Sequence, residues 1–107
     1  MRTVLGIVLC ACCAASSAQT HDVSTELWDR PRSAGAISGE EGVQRAVAAL
    51  LAQPEARLVI HHAAGQEPLL QAEELRSWLG ALAIDTRRIV LRNDLGAGSS
   101  LKIEVVQ

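Results

Sequence analysis

All three cysteines of this 107-residue chain, Cys10, Cys12 and Cys13, fall inside one uncharged stretch near its start, and none follows. Met1-Arg2-Thr3 precedes an apolar run of about twelve residues from Val4 to Ala15, and Ser16-Ser17-Ala18 places small side chains just before Gln19. The run is shorter than the roughly twenty residues that a bilayer-spanning helix needs. Its flanks are those of a secretory signal peptide (residues 1–18) cleaved after Ala18. The same residues leave two alternatives, an uncleaved membrane anchor and a lipoprotein attached through Cys12. Cleavage would remove every thiol, so residues 19–107 would have to fold with no disulfide and no cysteine chemistry. A domain that short buries only a little over about 60 % of its surface, so a single hydrophobic core has to carry it.

Composition says what that core is made of. Apolar residues are 49 % of the chain, yet there are two Trp, no Phe and no Tyr. The interior is therefore expected to be Leu, Val, Ile and Ala. Ten basic residues against twelve acidic ones give a net charge of −2. That balance offers no basic surface for binding nucleic acid by counterion release, and the shortage of aromatics argues against a base-stacking platform. A large enzyme with a deep substrate cavity is excluded by length.

Residues 19–26 are polar and read as a flexible N-terminal segment, with a weak strand signal where Val23, Thr25 and Leu27 alternate with polar neighbours. Asp29 to Gly35 breaks regular structure. Ser38-Gly39-Glu40-Glu41 has the form of a capping box, and Val43, Ala46, Val47, Leu50 and Leu51 follow at helical spacing until Gln53-Pro54. Arg57 to His62 is a β-rich run, Ala63 to Glu67 a loop, and Pro68 suits the first turn of a second helix. On that helix Ala72, Leu75, Trp78, Leu79 and Leu82 form an apolar stripe, with Glu73, Glu74 and Arg76 toward water. Arg88 to Arg92 reads as a strand, and Asn93 to Ser100 as a hairpin connection. Leu101, Ile103 and Val105 alternate with Lys102 and Glu104 in a last, antiparallel strand. This order predicts an α+β fold, a two-layer βαβαββ sandwich with two helices on one face of a small mixed sheet.

Catalytic chemistry does not stand out. Adjacent side chains on a strand point to opposite faces, so His61 and His62 cannot chelate one metal ion together. Glu40 and Glu41 are accounted for by a helix N-terminus, and Glu73 and Glu74 by a solvated helix face. Gly96-Ala97-Gly98-Ser99-Ser100 lacks the lysine and following helix of a phosphate-binding loop. Trp78 falls on the helical stripe and reads as core, as does Trp28. No catalytic residue, metal site or cofactor is expected.

From Leu27 to Val106 the landmarks, taken in order, resemble the OmpA C-terminal-like, peptidoglycan-associating family. Trp28-Asp29, Ser33-Ala34 and Ile37 are similar to the family's first strand and the approach to its first helix. Glu41-Gly42 and Leu50-Leu51 are similar to that helix, and Arg57 to His62 to the strand ending in Gly-His-Thr-Asp. Ala72, Leu75, Leu79 and Ile84 match the spacing of the second helix and its exit, and Arg88-Ile89 and Leu101 to Val105 the last two strands. The resemblance implies one domain over residues 27–107, a periplasmic location and a cell-envelope partner. Family members grip the diaminopimelate of the cell-wall peptide with an Asp and an Arg. The corresponding positions here are Ala64 and Gln71, and a Gln does not replace a bidentate Arg clamp. The expectation is a non-catalytic envelope module that binds a protein. The alternative is weak or altered peptidoglycan binding through His62, Gln66, Gln71 and Arg76.

Overall fold

The structure, a computed structural model, describes residues 19–107; the signal-peptide reading falls on residues outside that range. The order of elements is strand β1 (Gln19–Asp22), a 3-10 turn (Thr25–Asp29), helices α1 (Ala34–Ser38) and α2 (Glu41–Ala52), strand β2 (Arg57–Ala63), helix α3 (Gln66–Ala81), a second 3-10 turn (Thr86–Arg88), and strands β3 (Ile89–Leu95) and β4 (Lys102–Val106). Among the described residues the fold is α+β: one four-stranded mixed sheet in the order β1-β4-β2-β3, with three helices. A helical crossover through α3 makes β2 and β3 parallel. β4 runs antiparallel to both β1 and β2 and fills the position between them.

The core is aliphatic, as the composition requires. Val43, Ala46 and Leu50 of α2 and Ala72, Leu75 and Leu79 of α3 share one cluster with Leu58, Ile60, Ile89, Ile103 and Val105 of the sheet. The sheet residues in it alternate along their strands, so both long helices cover the same face. Trp28 and Trp78 are half-buried at its margin.

Several local expectations are overturned. Residues Gln19–Asp22, expected to be frayed, form β1, because β4 offers a free edge that they occupy in antiparallel register from Gln19↔Val105 to Asp22↔Lys102. Val23 and Leu27 are both fully buried, but Thr25 between them is exposed. Their spacing of four is the turn of a helix rather than the alternation of a strand, and the Ser24 hydroxyl accepts the Glu26 N–H to start that turn. Ser38 caps nothing: it ends α1, its hydroxyl donating back to the Ala34 carbonyl at 2.8 Å. The serine that caps a helix is Ser33, which accepts from the Ala36 N–H at 3.1 Å. Glu40 precedes α2 and spends its carboxylate on the Ser24 N–H at 3.0 Å, tying the two helical entries together.

The connection after β3 is not a hairpin. Turn chemistry at Gly96 to Ser99, closed by Ser99 N–H to Gly96 C=O at 3.1 Å, reverses the chain but does not choose its neighbour. β3 continues to Leu95 on the sheet edge, and the chain crosses the end of β2 to place β4 on its far side. There both edges of β4 are paired and Ile103 and Val105 are buried, whereas beside β3 one edge would stay open.

Two terminations set the helices. At the end of α3 the Ala83 N–H binds the Gly80 carbonyl and the Ile84 N–H binds that of Leu79, both at 3.0 Å. This is a Schellman motif with the Ile84–Leu79 apolar contact that accompanies it, but its left-handed residue is Ala83, at φ 79°, where glycine is usual. At the end of α2 the Arg88 guanidinium caps the chain, Nη2 donating to Leu50 C=O (3.1 Å) and Gln53 C=O (2.8 Å) and Nε to Ala56 C=O (3.0 Å).

Candidate functional site

The four residues expected to form a ligand site are not brought together. His62 lies on the core side of β2, 4 % exposed, with its Nδ1–H donating to the Ala63 carbonyl at 2.9 Å. Gln66 is exposed at the first position of α3, and Ala64 is exposed in the loop before it. Gln71 and Arg76, five positions apart on α3, line different hollows. Arg76 stands with Glu73 and Ser77 over Ile89 and Leu91 in an open hollow of about 460 Å³.

Gln71 lies in a polar hollow of about 300 Å³ between the first 3-10 turn and the N-terminal half of α3, with Trp28, Asp29, Arg32, Glu67 and Glu74. Glu74 was expected to face water. Instead it meets Arg32, whose Nε and Nη2 reach the two carboxylate oxygens at 2.9 and 3.4 Å, while the indole N–H of Trp78 donates to it at 3.2 Å. The Arg32 hydrogen bond, opposed by burial and aided by Trp78, holds the Glu74 carboxyl below its ordinary pKa. Nη1 of Arg32 donates to the carbonyls of Trp28 and Arg30, and the guanidinium lies 5.6 Å from the centre of the Trp28 ring. Arg32 is thus fully engaged within the protein, and Asp29 and Glu67 are the exposed charges at the rim of this hollow.

A third hollow differs in kind. Along α2 the residues Val43, Val47 and Leu51, with Ala48 beside them, face Leu82 and Ile84 from the exit of α3, enclosing about 390 Å³ of almost wholly apolar groove. Leu51 stands at its lip, 64 % exposed. Its origin is visible in the chain: α2 carries apolar side chains at 43, 46, 47, 50 and 51, a stripe wider than contact with the sheet uses. Val43, Ala46 and Leu50 go into the core, and Val47 and Leu51 are left toward the groove.

On the opposite face of the sheet, His61 alternates with the buried Ile60 and His62 and lies between Asp94 and Glu104. Its two ring nitrogens face different carboxylates on opposite sides of the ring, so these three side chains do not converge on one point. Among the described residues no group of three or more His, Cys, Asp or Glu side chains is placed to hold a metal ion, and no helix is long and apolar enough to cross a membrane. Compared with known proteins, the chain matches no protein-family model, no curated protein and no solved structure.

Proposed function

We propose that this protein is a non-catalytic interaction module, exported to the periplasm on an OmpA-like two-layer scaffold, that docks a protein of the cell envelope. The observation that carries the reading is the apolar groove along α2. It is shaped by two elements, nearly free of polar atoms, and lipped by a leucine that the core does not use. A buried apolar anchor from a partner, entering such a groove, is the usual source of most of the binding energy at a small interface. The succession strand, two helices, strand, helix, strand, strand, with the two long helices on one face, supports the scaffold.

The test is recovery of a cross-linked partner from envelope extract with the wild-type protein and with Leu51→Asp. One partner lost with Leu51→Asp is the expected result. Equal recovery by both proteins would overturn the role of the groove. Altered cell-wall binding is the second reading, favoured by the hollow that holds Gln71 among Arg32, Glu67 and Glu74. Saturable retention on isolated sacculi, competed by diaminopimelate and unaffected by Leu51→Asp, would establish it in place of the first.

A further inference from the structure

His61 holds three strands together through one ring. From β2 its Nδ1 lies 2.8 and 3.0 Å from the two carboxylate oxygens of Asp94 on β3, and its Nε2 lies 2.8 Å from Oε1 of Glu104 on β4. The ring is 15 % exposed, Glu104 23 % and Asp94 46 %. A neutral imidazole has one N–H and one lone pair, whereas an imidazolium has two N–H donors. With a carboxylate at each nitrogen, only the imidazolium satisfies both. Loss of the proton sets a lone pair against a carboxylate oxygen at hydrogen-bond distance, and one of the two acids must withdraw. Asp94 is the one free to do so. It is twice as exposed as Glu104, and it lies on an edge strand one residue before β3 ends and the crossover to β4 begins.

The other charges facing the ring do not take over its task. Its register partners are Arg92 on β3 and Lys102 on β4, both cations, and Lys102 is already paired with Asp22 of β1.

We propose that His61 is a proton-operated fastening for the β3–β4 crossover: protonated, it binds Asp94 and Glu104 together, and deprotonated, it keeps Glu104 and releases Asp94 with the end of β3. Burial pulls the His61 pKa down, but hydrogen bonds to Asp94 and then Glu104, together with their charges, outweigh it and leave it above the ordinary histidine value. While both carboxylates are ionised, the fastening is therefore complete below about pH 6.5, the unfolded-state value, and is lost as pH rises through the higher folded-state value. It is independent of what docks in the α2 groove.

The test is an NMR titration of the His61 ring alongside amide hydrogen exchange of Leu95 and Ser99, corrected for the intrinsic pH dependence of exchange. In the wild-type protein, protection of these two amides should fall about tenfold, the worth of one charge-assisted hydrogen bond, with the midpoint of the ring. His61→Gln should show low protection at every pH and no step. Glu104→Gln is the sharper variant: its amide can donate to Nε2 of a neutral ring whose Nδ1–H still serves Asp94, so the crossover should stay protected at high pH. A wild-type protection that ignores the ring titration would overturn the proposal, and so would a step of unchanged size in either variant.

Discussion

Replacing Arg88 by alanine removes three hydrogen bonds at once, all to main-chain carbonyls where α2 ends and turns toward β2. A hydrogen bond from a charged donor is worth roughly 1.5–3 kcal/mol net, and a cation at a helix C-terminus adds about 0.3–1 kcal/mol. These do not sum, for two reasons in the structure. The carbonyls of Leu50 and Gln53 keep main-chain donors, Gln53 N–H at 3.2 Å and Ala56 N–H at 2.9 Å, and the site is only half-buried, so water replaces part of the rest. The expected loss is about 2–3 kcal/mol, most of it at the Ala56 carbonyl. For a domain of this size that is a fall in Tm of about 10–20 °C. Urea unfolding followed by tryptophan fluorescence and circular dichroism should show a lower midpoint at constant slope. Arg88→Lys keeps the charge but not the fork, and should recover about 1 kcal/mol. Arg87→Ala is the control, because Arg87 is exposed and among the described residues its side chain bonds only the nearby Asp85; it should stay within about 0.5 kcal/mol of wild type. A loss below about 0.5 kcal/mol for Arg88→Ala would refute the cap as a source of stability.

Other substitutions probe other joints. Gly42→Ala should cost several kcal/mol or prevent folding, because a Cβ at this buried position would overlap the Asp22 carbonyl where α2 meets β1; calorimetry would show it. Ala83→Gly should raise stability by about 0.5–1 kcal/mol in urea, relieving a left-handed alanine. The Glu74 pKa is lowered in the folded protein, so its pairing with Arg32 contributes fully above about pH 4.5 and is lost as pH falls through the lower folded value. Glu74→Gln should accordingly narrow its deficit against wild type on acidification below that point, read from Trp fluorescence. Leu51→Asp should leave stability within about 0.5 kcal/mol, since Leu51 is mostly exposed, and a large destabilisation would place it in the core instead.

The parts of the fold written in periodicity were readable in advance. The stripes of α2 and α3, the run at Arg57 to His62 and the alternation of Leu101, Ile103 and Val105 each point to one face at one period, and each element is found. What was hidden depends on distance along the chain. Nothing near Gln19 announces a strand, because its pairing with Val105 is supplied by the other end of the domain. Turn residues at Gly96 to Ser99 signal reversal and are silent about which strand lies alongside. The same holds for side-chain partners. Glu74 has the spacing of a solvated helix residue and becomes half-buried only because Arg32 reaches it from another element, and Arg88 looks like a strand-opening charge until α2 ends beside it. Of the site, the opposite facing of His61 and His62 followed from strand geometry. Their carboxylate and carbonyl partners did not, and the groove was present only as two apolar residues too many on α2.

The position of β4 has a consequence for how the chain comes to be folded. The unit of β1 with α2 and the unit of β2, α3 and β3 share no strand pairing except through Lys102–Val106, the last strand in order. Until that segment is delivered, each unit bares a strand edge that only β4 complements. A ribosome that still holds Lys102–Val106 therefore holds a chain unable to close its sheet, and commitment to the native state waits for β4. The same vacancy makes the protein divisible: a chain truncated before Lys102 should accept the missing strand as a separate peptide, and two truncated chains with their edges bare should seek each other.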